Sequence, residues 1–272
     1  MKRKPLISLL SDFGLKDSYV AEMKAVMLSI CPDASIVDIS HEINKYDIQM
    51  GAYVLARAAP YFPEGTIHVA VVDPGVGTER RPIIVKTEHS LYVGPDNGLL
   101  MLSAQREGVS SVYEITNPKY MLKKVSSTFH GRDVFSPAAA YLAQEIPLSN
   151  FGPEISDPFV PSFTQPIVHE QEVRGEVIYI DGFGNIVTNI TTEHLKLMNI
   201  RKREHLSVAL KDKNITIKLC SAYGEVSANT TLAVVGSGGF LELAVNQGNA
   251  SSIFGVKTGD KVILKPQHMQ LT

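Results

Sequence analysis

Five stretches within the first 72 residues alternate between strand-like and helix-like apolar spacing, and that alternation restricts the N-terminal half of the chain more than any other feature. Residues 6–10 (LISLL), 35–39 (SIVDI) and 66–72 read as short strands, and the IHVAVV run within the last has the length and β-branched content of a buried one. Residues 19–30 and 48–59 instead carry apolar groups at helical spacing. In the first of these helices Tyr19, Met23, Val26, Met27 and Ile30 share one face, Asp17 or Ser18 stands where a cap belongs, and Pro32 lies just past the end. Strands at 83–85 and 91–93 and helices at 98–105 and 134–144 follow. Strand–helix–strand order predicts a mostly parallel sheet covered by helices on both faces.

The character changes between 152 and 172, where prolines at 153, 158, 161 and 166 interrupt any sustained period. Beyond that connection come seven short β-rich runs at 176–180, 185–189, 206–210, 215–219, 231–235, 241–245 and 261–264, the pattern of a small barrel or sandwich. The expected organisation is an α/β domain at 1–152, a linker at 153–172 and an all-β domain at 173–272.

Composition removes several function classes. With 272 residues, 44% hydrophobic and 20% charged, the chain is globular, and a mean hydropathy of +0.03 leaves no surplus for a membrane. A net charge of −2 argues against nucleic acid as the main partner. Lys2, Arg3 and Lys4 precede too short an apolar run for a signal peptide, so a solvated terminus in a cytoplasmic protein is expected. Cys31 and Cys220 form no CxxC pair, and the histidines and carboxylates show no metal-binding spacing, which predicts chemistry without a metal or cofactor. The glycine-rich loop at 73–81 lacks the third glycine of a dinucleotide fingerprint and the lysine of a phosphate loop. DFG at 12–14 and HGRD at 130–133 occur in the wrong order for a kinase.

Four clusters follow strands. In VVDPGVGTERR, Asp73 ends an apolar run where open α/β sheets place ligands, Gly75 and Gly77 allow left-handed backbone, and Arg80 and Arg81 supply guanidinium groups. A tight turn with an ion pair is the competing reading. In SDFGLKDSY, Asp12 is placed to hold the hydroxyls of a ribose, while Asp17 also suits a helix cap. His130 in TFHGRD precedes a helix and could equally be structural. In DGFGN, Phe183 could stack on a base and Asn185 pair with its edge, or the segment could be a hairpin turn. GSGG at 236–239 reads as a turn or a carboxylate-binding nest.

SDFGLKDSYV, YDIQMGA, VVDPGVGTERRP, VGPDNGLL, TFHGRD and DGFGNIVTNI, in this order over nearly the whole length, resemble the S-adenosyl-L-methionine (SAM) hydrolase family, also called SAM hydroxide adenosyltransferases. The resemblance implies a Rossmann-like N-terminal domain and a C-terminal β-barrel. It also implies a homotrimer with active sites at subunit interfaces, and hydrolysis of SAM to adenosine and L-methionine by attack at the ribose C5′. It assigns a triad to Asp73, Arg80 and His130, ribose contacts to Asp12 and Tyr46, and the adenine pocket to Phe183 and Asn185. Asp17, Asp181 and Ser237 fall near the methionine ammonium and carboxylate. The related fluorinase and chlorinase carry tyrosine and serine where this chain has Asp73 and Gly131, and arginine in place of Gly238. A chlorinase and a non-catalytic SAM- or adenosine-binding protein are the alternatives.

Overall fold

A computed structural model describes residues 4–267, so Lys2 and Arg3 lie outside the described residues. The chain divides into two compact units, one running to Pro161 and one beginning at Ser162.

The first unit contains β1 (Leu6–Ser11), α1 (Tyr19–Ile30), β2 (Ser35–Ser40), α2 (Ile48–Ala58), β3 (Ile67–Val71), β4 (Pro82–Thr87), β5 (Leu91–Pro95), α3 (Met101–Glu107), β6 (Val109–Glu114) and α4 (Ser136–Ala143). Its sheet runs β2-β1-β3-β5-β4-β6, parallel from β2 through β5, with β4 antiparallel to both neighbours. The expected three-layer form follows from alternating side chains. Ile7, Leu9, Ile67, Val69 and Val71 pack with Met23 and Met27 of α1 and the Ala138–Ala140 stretch of α4. Leu10, Ala70 and Val72 pack with Leu55 of α2 and Ala104 of α3 on the opposite side. The chain leaves β1 toward β2 on one side, while β3 flanks it on the other. The gap between the carboxyl ends of β1 and β3 is therefore a topological switch point, where sheets of this kind bind ligands.

Two local expectations differ, and the choice of cap between Asp17 and Ser18 is decided. Val20 joins Met23 and Met27 on the buried face of α1, whereas Tyr19 is 45% exposed and instead meets Phe13 at a tilt and Phe129 edge-on. Ser18, not Asp17, occupies the cap position, and its hydroxyl donates to Glu22 at 2.6 Å. The last helix of the unit begins earlier than 134, as a π-type turn over Gly131–Phe135 that runs into α4. Such turns occur often at functional sites.

Burial in the sheet shifts the titration of a histidine. His68 of β3 stacks on Tyr92 at 4.9 Å and pairs with Ser8 Oγ at 2.6 Å, and burial pushes its pKa down from 6.5 to about 4. The unfolded chain therefore binds this proton at a higher pH than the folded one. Stability should fall as pH drops from 6.5 toward about 4, by at most about 3 kcal/mol. Denaturant midpoints measured across that window should flatten in His68→Asn.

The second unit contains β7 (Ile167–Val168), β8 (Val173–Ile180), β9 (Ile186–Thr191), α5 (Thr192–Leu197), β10 (His205–Leu210), β11 (Lys213–Cys220), β12 (Thr231–Val235), β13 (Phe240–Val245), α6 (Ala250–Phe254) and β14 (Lys261–Pro266). Strand order β14-β10-β11-β12-β13-β9-β8 closes through pairing of β14 with β8, so the unit is a barrel and not a sandwich. Closure is possible because β8 is long enough to pair with β14 along its first half and with β9 along its second. Val173, Val177, Ile190, Leu206, Leu241 and Leu264 fill the interior.

Candidate active site

Asp12 follows directly after β1 and Asp73 stands two residues past the end of β3, and these adjacent parallel strands pair Ser11 with Val71. Strand register therefore delivers both carboxylates to the switch point. A cavity of about 270 Å³ opens there, lined by Asp12, Phe13, Lys45, Tyr46, Asp73 and His130 among others. A larger open depression of about 920 Å³ lies at the opposite end of the strands, around Leu6, Ile67 and Leu91, away from these groups.

Arg80 grips Asp73 as a fork. Its Nε donates to Oδ1 at 2.9 Å and to Oδ2 at 3.1 Å, and its Nη2 also donates to Oδ2. The same Nη2 donates to His130 Nδ1 at 2.9 Å. Both members of the ion pair are nearly withdrawn from solvent, with side chains 9% and 5% exposed, and the guanidinium lies over the Phe135 ring at 5.2 Å. Its Nη1 is buried and finds no hydrogen-bond partner among the described residues.

Backbone geometry brings the two loops together. Gly77 has φ +76, and a Cβ there would fall 2.2 Å from the Ser127 carbonyl oxygen, so only glycine lets the Asp73 loop rest on the loop carrying His130. Gly75, by contrast, does not adopt a positive φ. The His130 loop is fixed from beneath by Asp133, fully buried, which accepts from Ser126 N at 2.7 Å and from Arg132 Nε at 2.7 Å.

Arginine can only donate, so the 2.9 Å contact makes His130 Nδ1 an acceptor and leaves the ring proton on Nε2. Burial, reinforced by the Arg80 charge and opposed by Asp73, holds the His130 pKa below 6.5. The ring is therefore neutral at pH 7 and remains so as pH falls through 6.5. If a neutral His130 is required, the acid limb of kcat/KM lies below the ordinary histidine value, which a pH–rate profile measures directly.

Asp12 is 6% exposed, and its Oδ2 accepts from the backbone N of Tyr46 at 2.9 Å, while Lys45 Nζ donates to its main-chain oxygen. Tyr46 stands 71% exposed in a left-handed conformation with φ 68. Asp17 is exposed and does not cap α1, so its local structural role falls away.

In the second unit Asp181 organises DGFGN. Its Oδ1 accepts from the backbone N of Phe183 and of Asn185, both at 2.9 Å, and its Oδ2 accepts from Asn185 Nδ2 at 2.9 Å. The loop is thus a tight turn whose closure leaves Phe183 80% exposed and Asn185 buried, with the amide's Nδ2 oriented by Asp181. Ser237 lies in the turn between β12 and β13, closed by Gly239 N donating to the Gly236 carbonyl.

A family model described as the SAM hydroxide adenosyltransferase N-terminal domain matches residues 7–152, and one for the C-terminal domain matches residues 175–263. The chain belongs to the SAM hydroxide adenosyltransferase family. Relatives named (R)-S-adenosyl-L-methionine hydrolase include one from Salinispora arenicola, 37% identical over 96% of this chain and 98% of that protein. Another, from Methanocaldococcus jannaschii, is 38% identical over 94% of each. A fluorinase from Nocardia brasiliensis is 29% identical over 97% of both. The solved structure of an uncharacterized conserved protein from Thermotoga maritima superimposes with a TM-score of 0.84 at 39% identity, covering 95% of this chain and 99% of that one.

Two residues that shape the surroundings of this candidate site, Asn97 and Asp96, were not singled out by the sequence. Asn97 Nδ2 donates to the Val72 carbonyl at 2.8 Å and its Oδ1 accepts from Leu99 N at 3.1 Å, so it holds the peptide just before Asp73. Asp96 accepts from Arg81 Nε at 2.9 Å and from Phe159 N at 2.8 Å, which explains why Arg81 points away from the cavity groups. The signal was present in VGPDNGLL, whose Asp-Asn pair follows β5 directly.

Proposed function

We propose that this protein is an enzyme that hydrolyses S-adenosyl-L-methionine to adenosine and L-methionine by attack of water on the ribose C5′. The observation that carries the reading is that Asp73 and His130 share one cavity with Asp12 at the switch point and are bridged by Arg80. Asp12 would accept hydrogen bonds from the ribose hydroxyls beside Tyr46, and Phe183 and Asn185 would take the adenine. Asp17, Asp181 and Ser237 would meet the methionine end.

The chemistry suits these groups. A sulfonium leaves as a neutral thioether, taking the C5′–S electron pair with it, so neither a general acid nor a metal is needed. We therefore propose a reaction without cofactor, insensitive to chelator. Asp73 Oδ1 accepts only one bond from Arg80, so it retains acceptor capacity and can hold the attacking water. A carboxylate already gripped by a guanidinium is a weak base, so its main work is to aim the nucleophile, and the water's proton passes through it to solvent as the C5′–O bond forms. His130 supplies Nε2–H as a donor. With Nδ1 engaged by Arg80, the ring does not serve as the base in this arrangement.

The relatives' names specify the R configuration at sulfur, so both sulfonium epimers should be incubated with the protein in ¹⁸O-labelled water containing chloride. Equimolar methionine and adenosine labelled at the 5′ oxygen are expected. Appearance of 5′-chloro-5′-deoxyadenosine would make the protein a halogenase, and binding without release of methionine would make it a sensor. We further propose a cytoplasmic homotrimer, for which light scattering should return three times the 29.7 kDa chain mass. No helix among the described residues is long and apolar enough to cross a membrane.

A further inference from the structure

Asp12 sits in a loop whose shape is set by a second loop, and the join between them is a buried histidine outside the triad. Ser11 Oγ and His41 Nδ1 are 2.7 Å apart, both residues being almost wholly buried. The His41 carbonyl accepts from Gly14 N at 2.7 Å, so His41 clamps the chain on both sides of Asp12. Ser11 Oγ also accepts from Phe13 N at 3.3 Å, which carries the clamp across Asp12 itself. The other ring nitrogen, Nε2, makes no well-aligned hydrogen bond but lies 3.1 Å from Asp38 Oδ1. Asp38 is in turn held by Lys24 of α1 at 2.6 Å. Five residues beyond His41, the Tyr46 backbone N donates to Asp12 Oδ2 at 2.9 Å.

From this geometry we propose that His41 is a positioning residue for the ribose-binding carboxylate: the Asp38–His41–Ser11 chain fixes the orientation in which Asp12 presents its free acceptor positions to a vicinal diol. The residue types resemble a nucleophilic triad, but Ser11 is 1% exposed and its hydroxyl is tied to Phe13 N and His41, so it acts as a brace and not as a nucleophile. The inference rests on the reading of this cavity as a ribose site. Two loops tied at one buried point move together, and loss of the tie lets the carboxylate sample orientations that miss one hydroxyl.

The test compares binding of adenosine with binding of 2′,3′-dideoxyadenosine, which keeps the base and lacks the diol. The unmodified protein should prefer adenosine by about ten-fold or more, since hydrogen bonds to a charged acceptor are at stake. In Ser11→Ala and His41→Phe that preference should shrink by about five-fold or more, while affinity for the dideoxy compound changes less than about two-fold. His41→Asn, whose amide reaches the place of Nδ1, should restore most of the preference. Equal weakening of both ligands, or an unchanged preference in both Ser11→Ala and His41→Phe, would overturn the inference while leaving the ribose site intact. Absence of any preference in the unmodified protein would remove the ribose reading itself, and this inference with it.

Discussion

Asp73→Asn is expected to reduce the first-order rate of methionine release from bound SAM by about 10²–10⁴-fold, the range typical of losing a positioned proton acceptor. The substitution keeps the shape of the side chain and removes its charge. One oxygen can still accept from Arg80, but the NH₂ that replaces the other can only donate, and it would face a guanidinium that also only donates. The water thereby loses its acceptor and the fork loses half its grip. Because the pair is nearly buried, breaking it also destabilises the fold, by at most about 3–5 kcal/mol. Thermal unfolding measured beside the rate separates the two consequences. SAM affinity measured by equilibrium binding should remain within about ten-fold, since Asp12 and not Asp73 is assigned to the ribose. A variant that turns over at the unmodified rate would remove Asp73 from the chemistry altogether.

The alternation of the first 72 residues was sufficient to place β1, β2, β3, α1 and α2, and a largely apolar run such as IHVAV announces a strand buried on both faces. Less legible were β6, whose sequence VSSVYE buries only Val112, and α5, whose capping box uses His194 in place of the usual Glu or Gln. Closure of the second unit was not readable from its strands, since a barrel and a sandwich share the same alternation. The decision lies in β8 pairing with two partners along its length.

The site divided in the same way. Local motifs identified Asp12, Asp73 and His130 because each stands at the end of an element, where its position is a property of the nearby chain. What local motifs could not supply is contact between loops. Asn97 bonds to Val72 across 25 residues and Ser11 to His41 across 30, and neither pairing leaves a periodic trace. Asp181 also shows that a turn and a binding loop need not be rival readings: closing the turn is what exposes Phe183 and orients Asn185.

Arg80 and Arg81, adjacent and chemically identical, should respond oppositely to the same substitution. Arg80→Lys is expected to lower kcat by about 10²-fold or more, because a single ammonium cannot bond both Asp73 oxygens and His130 Nδ1 at once, and a displacement of about 1 Å is enough for such a loss. Arg81→Lys should leave kcat within about two-fold and instead lower stability by about 1–2 kcal/mol, since Arg81 ties buried Asp96 to the chain at Asp157. The contribution from the Asp157 carboxylate itself should be small, because that group is 78% exposed and screened by solvent. Alternation along the segment that leads into β4 sends one guanidinium to Asp73 and His130 and its neighbour to Asp96, so the division of labour is set by the chain direction and not by residue type. Measured together, kcat and unfolding midpoint give a crossed pattern. Matching losses of kcat in both variants would mean that a guanidinium anywhere in this loop matters and that the fork to Asp73 and His130 has no special part.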